Sequence, residues 1–135
     1  MVFYIETSAF VKLLADEAFS TQMRDWVRGA GAEYVSSDLL RIEVMRSSRR
    51  RSPEVVKAAR EAMSGVDLIR LTSDICEVAA HLDPAIMRSL DAAHVATALS
   101  VGDELEGVIT YDQRLAEACG QLGLAVVAPG ADVSS

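Results

Sequence analysis

Short apolar runs alternate with helical stretches along the whole chain, and nothing between them reads as a hairpin turn. The runs are Val2–Ile5, Tyr34–Ser36, Asp67–Leu71, Gly107–Thr110 and Leu124–Val127. Val2–Ile5 is long enough for a buried strand, Tyr34–Ser36 offers a short one, and the other three read as strands. Helical spacing fills the intervals. Thr7 or Ser8 stands where an N-cap belongs before Ala9–Ala15, and Thr21–Gly29 reads as a helix stopped by Gly29 and Gly31. Asp38–Arg50 follows, and Pro53 opens a helix running to about Ser64. Thr72 caps a helix through His81, Ser89 caps a run to Val101, and Asp112–Gly120 completes the set. Neither Asn-Gly nor Asp-Gly occurs. Strands that alternate with helices belong to a parallel sheet, so the expected fold class is α/β, with helices on both faces of a central sheet.

The chain of 135 residues fits one domain, expected over 1–130, with a short tail at 131–135. Half the residues are apolar but only 5% are aromatic, so Ala, Val, Leu and Ile must build the core. Cys76 and Cys119 lack C-x-x-C spacing and fall inside expected helices, which reads as two reduced core residues. MVFYIE has no basic stretch of a secretory signal, and no uncharged apolar run approaches the roughly 18 residues that span a bilayer. A cytoplasmic protein without a membrane partner is the expectation.

Most familiar catalytic signatures are missing. There is no G-x-G-x-x-G, no phosphate-cradling G-x-x-x-x-G-K-[ST] and no G-x-S-x-G. His81 and His94 have no zinc-ligand partners at suitable spacing. What remains is acids in unusual places. Glu6 follows the first strand and Asp112 follows the Val108–Thr110 strand, at the edge of a parallel sheet where ligands bind. Asp91 sits in the first turn of SLDAAHVATALSV, a segment small or apolar nearly all round and therefore buried. Its plain role is to complement the helix dipole. Glu43 lies along the apolar stripe of Leu39, Leu40, Val44 and Ser47. Arg46, three residues on, is the ordinary partner for such an acid.

Two carboxylates about 4 Å apart repel by about 1 kcal/mol in water, and by several times that near a protein surface. Three or four together need protons or a cation. Mg²⁺ or Mn²⁺ suits oxygen ligands and keeps waters for chemistry. Whether the four acids converge depends on the fold.

Four segments carry a resemblance. They are I5-E6-T7-S8-A9-F10-V11-K12-L13-L14, R41-I42-E43-V44-M45-R46, S89-L90-D91-A92-A93-H94-V95-A96-T97-A98 and V108-I109-T110-Y111-D112-Q113-R114-L115. In this order, spanning nearly the whole chain, they resemble PIN-domain proteins of the VapC type, toxins of type II VapBC toxin–antitoxin systems. The resemblance implies a PIN-like α/β/α sandwich and an Mg²⁺- or Mn²⁺-dependent endoribonuclease. Glu6, Glu43, Asp91 and Asp112 stand at the positions of the family's catalytic and metal-binding acids, and Thr110 where a hydroxyl often supports the site. It also implies a homodimer, a VapB-type antitoxin partner, and cleavage of structured cellular RNA such as tRNA or rRNA.

One position departs from that pattern. The family usually has Asp where this chain has Glu6, and one methylene moves a carboxylate about 1.5 Å. A productive site tolerates about half an ångström. Retained metal binding is the first expectation; a catalytically weak domain that binds RNA or an antitoxin is the alternative. A receiver-type acidic pocket is a third reading, disfavoured because LAVVAPG has no Lys nearby.

Charge adds a second theme. The chain carries a formal −7, yet residues 41–60 carry +5 and the remainder −12. Arg46, Arg49, Arg50 and Arg51 are candidates, some of them for RNA phosphates beside the acids, or for antitoxin contact. Ser8 could support the shell around Glu6 or simply cap a helix. His94, three residues after Asp91, could orient it or a bound water, though a satisfied helix histidine is the plainer reading. Lys12 and Arg114 read as surface charge, and Phe19, Met23 and Trp26 as core or dimer contacts.

Overall fold

A computed structural model describes residues 1–131. The strands are β1 (Val2–Ile5), β2 (Glu33–Ser37), β3 (Val66–Ile69), β4 (Leu105–Ile109) and β5 (Val126–Val127). The helices are α1 (Thr7–Phe10), α2 (Ser20–Ala30), α3 (Asp38–Arg49), α4 (Pro53–Met63), α5 (Ser73–Ala80), α6 (Ser89–Val101) and α7 (Gln113–Gln121). The sheet order is β3-β2-β1-β4-β5, and every pairing is parallel. The chain builds outward from β1 to β3, then returns to lay β4 on the other side of β1. Direction therefore reverses between β1 and β4, which makes their carboxyl ends the natural place for a ligand.

Alternation along the strands divides the core. Phe3, Ile5 and Ile109 pack with Met23, Leu40, Val44, Ala59 and Met63, under α2, α3 and α4. Tyr4 and Val108 face the other way, onto Val95, Ala98, Leu115 and Cys119 of α6 and α7. The α/β expectation holds, with helices on both faces of the parallel sheet. In α6, Ala92 through Ala98 are all buried, as its apolar circumference requires.

Local chemistry sets most element starts. Ser37, Ser52, Thr72 and Asp112 each cap a helix through the side chain, at α3, α4, α5 and α7. Three details differ from the sequence reading. The helix expected over Ala9–Ala15 is instead the short α1 followed by a 3₁₀ turn, Val11–Leu13, and its cap is Glu6 rather than Thr7 or Ser8. Ser89 begins α6, whose N-cap is Arg88 without a side-chain bond. Cys76 is exposed, so only Cys119 is a core thiol. Among the described residues no helix is long and apolar enough to cross a membrane. Apart from Ala131, the expected tail lies outside the described residues.

Candidate active site

Glu6 leaves β1 at the sheet's carboxyl edge and turns back instead of reaching outward. Its Oε1 accepts three hydrogen bonds: from Ser8 N at 3.1 Å, Ser8 Oγ at 2.5 Å and Thr110 Oγ1 at 2.6 Å. The side chain is buried at 8% exposure. The extra methylene is thus absorbed by capping α1 and latching onto the end of β4. Burial pushes the carboxyl above its usual range, although the Ser8 and Thr110 bonds pull the other way.

The two hydroxyls do more than hold Glu6. Ser8 Oγ accepts from Tyr111 N at 2.8 Å, and Thr110 Oγ1 accepts from Asp112 N at 3.0 Å. One small network therefore fixes the chain as it leaves β1 and the chain as it leaves β4. Asp112 in turn caps α7, its Oδ1 accepting from Arg114 N at 2.9 Å and Leu115 N at 3.1 Å. Both supporting hydroxyls expected from the sequence reach Glu6.

Glu43 comes from α3, on the side that carries the buried Leu40 and Val44. Its partner is not Arg46, which is exposed. Instead Oε1 accepts from Thr7 Oγ1 at 2.6 Å and pairs with His94 Nε2 at 2.7 Å. Burial alone would raise its pKa, but those two bonds and the His94 ring hold the carboxyl below its usual range. Asp91, in the first turn of α6, lies 3.6 Å from the exposed Arg88 guanidinium, a weak surface pairing. Its carboxyl is raised by burial first and by the charge of Asp112 second, with Glu43 adding to the push. Asp91 thus feels the charges of Asp112 and Glu43, and His94 lies close enough to Glu6, Glu43 and Asp91 to act on all three.

A divalent ion can be weighed against this donor set. Among the described residues no three His, Cys, Asp or Glu side chains stand close enough as they lie to hold an ion. The donors nevertheless fit a hard cation in kind, because all four are carboxylates and Asp91 feels the charges of Asp112 and Glu43. Glu6, Glu43 and Asp112 each commit one oxygen to protein donors. Their second oxygens accept no hydrogen bond from any described residue.

The residues that sequence reasoning undervalued are Thr7, Tyr4 and His94. His94 is 2% exposed and bonds Glu43, not Asp91. Its position on a helix buried all round was the available signal. Of the basic candidates, Arg46, Arg49 and Arg50 are exposed, and none has a side-chain ion pair or hydrogen bond with a described residue. Helical spacing puts Arg50, two turns beyond Glu43, on nearly the same face, with Arg46 beside it and Arg49 turned away. Lys12 and Arg51 share Glu17, at 3.0 and 3.1 Å. Met23 is core and Trp26 packs on it, whereas Phe19 is partly exposed and stacks on Tyr111.

The PIN-domain family model matches residues 3–121. The chain belongs to the PIN-domain family. It is 38% identical over 132 residues to Ribonuclease VapC47 of Mycobacterium tuberculosis, covering 95% of this chain and 97% of that protein. Ribonuclease VapC46 from the same species is 40% identical over 126 residues, covering 93% and 96%. Among solved structures, M. tuberculosis VapC20, described as a Sarcin-Ricin loop cleaving toxin, superposes with a TM-score of 0.74 at 18% identity, covering 94% of this PIN domain and 99% of that chain. A toxin–antitoxin complex from Klebsiella pneumoniae gives 0.73 at 21% identity, covering 93% and 96%. The fold is therefore the PIN-like α/β/α arrangement of VapC toxins.

Proposed function

We propose that this PIN domain is the toxin of a toxin–antitoxin pair, a metal-dependent endoribonuclease acting at Glu6, Glu43, Asp91 and Asp112. The observation that carries the reading is the latch of Glu6, Ser8 and Thr110, which ties two acid-bearing strand ends together at the point where the sheet reverses direction. Relatives named as VapC ribonucleases at 38–40% identity support the same activity. Mg²⁺ or Mn²⁺, held by the free carboxylate oxygens, would supply water activation and offset charge on the phosphate. Ser8 and Thr110 keep Glu6 oriented. Thr7 and His94 do the same for Glu43, and the α7 amides hold Asp112. Arg46 and Arg50, without an ion pair to any described residue, offer cations on the Glu43 side of α3, suited to RNA phosphates. A VapB-type antitoxin, assembly as a homodimer and a structured RNA substrate such as tRNA or rRNA complete the proposal.

A binding module without turnover is the second reading, and Glu6 favours it. A carboxylate buried and committed to three donors has less freedom to ligate than the usual Asp. Cleavage of a pool of structured RNA in Mg²⁺, Mn²⁺ and EDTA, beside Asp112→Asn and Glu6→Asp, separates the two. Metal-dependent cutting that disappears in Asp112→Asn is expected. A silent parent with an active Glu6→Asp variant would mean a scaffold detuned by one methylene. Silence in both would favour the binding module.

A further inference from the structure

We propose that His94 is the positioning residue for Glu43, and that Tyr4 locks its ring in the tautomer whose Nε2–H points at that carboxylate. The inference rests on Glu43 being a site carboxylate, as proposed above. Tyr4 is fully buried and His94 nearly so. Both ring nitrogens are engaged: Nδ1 lies 2.6 Å from the Tyr4 hydroxyl and Nε2 lies 2.7 Å from Glu43 Oε1.

The direction of this chain follows from what each group can do. An ionised carboxylate only accepts, so Nε2 carries the proton. In a neutral ring Nδ1 must then accept, and Tyr4 O–H donates to it. At the far end Thr7 Oγ1 donates to the same Oε1. Two donors converging on one oxygen restrict rotation of the carboxylate and leave Oε2 for a ligand. The four residues come from β1, α6, α3 and α1, so the orientation of Glu43 depends on the packing of the whole sheet edge. A histidine that merely filled a hole would need neither short bond.

The first arm of the test reads the tautomer in the intact wild-type protein, from two-bond ¹H–¹⁵N correlations of the His94 ring. A protonated Nε2 with a bare Nδ1 is expected. A proton on Nδ1, alone or with one on Nε2, removes Tyr4 as donor and overturns the inference. The second arm compares Tyr4→Phe, His94→Gln and His94→Leu for Mn²⁺ affinity by calorimetry, and for kcat and KM on RNA. Losing an orienting partner typically costs roughly 10–100-fold in metal affinity or activity. His94→Leu should fall in that range with KM unchanged. Tyr4→Phe should fall near the lower end. His94→Gln, whose amide can donate to Glu43, should recover part of the loss. Folded variants that all keep wild-type Mn²⁺ affinity and kcat would make His94 a packing residue only. A wild type that binds no Mn²⁺ and cuts no RNA would count against the proposed function, while the tautomer still decides the His94 arrangement.

Discussion

Thr110→Val is a near-isosteric change at a residue only 1% exposed, and it removes the hydroxyl that joins β4 to Glu6. The 2.6 Å donation to Glu6 Oε1 and the 3.0 Å acceptance from Asp112 N go with it, together with a longer 3.2 Å contact to Ser8 Oγ. A hydrogen bond to a charged group is worth about 1.5–3 kcal/mol, and a neutral one about 1 kcal/mol. The added methyl returns somewhat less than about 1 kcal/mol through burial. The net cost is about 2–3 kcal/mol. At about 2.1 cal/mol/K per residue, unfolding this chain carries an entropy near 0.28 kcal/mol/K, so Tm should fall by about 7–11 °C. The measurement is thermal unfolding in EDTA at neutral pH, so that no ion contributes. Repeating it in a Glu6→Gln background isolates the pair, because the hydroxyl then faces a neutral oxygen and its removal should cost only about 1 kcal/mol. A drop under about 2 °C, or an equal drop in both backgrounds, would show that the hydroxyl does not hold an ionised Glu6.

Glu6 also makes a statement about pH. Its folded pKa lies above the unfolded value of 4.5, so the stability it contributes is complete below that value and declines as pH rises through the folded pKa. Metal-free Glu6→Gln, which does not titrate there, should match the parent near pH 4 and become progressively more stable relative to it toward neutrality; chemical denaturation across pH reads the difference, and a flat difference would mean that burial does not disfavour the charge. On the basic side, Arg46→Ala with Arg50→Ala should weaken RNA binding and flatten its salt dependence. Each lost phosphate contact removes about 0.7 (single strand) to 0.9 (duplex) from the log–log slope, so the pair should remove about 1.4–1.8. An unchanged slope would move these residues away from the RNA path.

How far the sequence could be read depended on whether the deciding contact was local. Alternating runs and capped helices are local, and they led to a parallel sheet with helices on both faces. The inward position of Glu43 was legible because Leu40 and Val44 share its helix. Its partner was not: Arg46 is three residues away, whereas His94 and Thr7 are 51 and 36 residues away and meet Glu43 only after α6 and α1 pack against the sheet edge. Glu6 shows the same limit. One methylene beyond Asp suggested a carboxylate displaced outward, but Thr110, 104 residues on, draws it in. Asp112 was placed correctly at a strand end, and its second role as the α7 cap is local chemistry that Asp regularly performs.

Whether one divalent ion engages carboxylates from β1, α3, α6 and the β4–α7 junction is best measured by calorimetric titration of Mn²⁺. The parent would be run beside Glu6→Gln, Glu43→Gln, Asp91→Asn and Asp112→Asn, with the exposed surface acid Glu117→Gln as control. Saturable binding by the parent and the control, weakened by more than the roughly tenfold minimum typical of an indirect partner in each of the four variants, is the expected result. No binding by the parent, or affinity equal to the parent's in any of the four, would contradict a shared four-carboxylate centre.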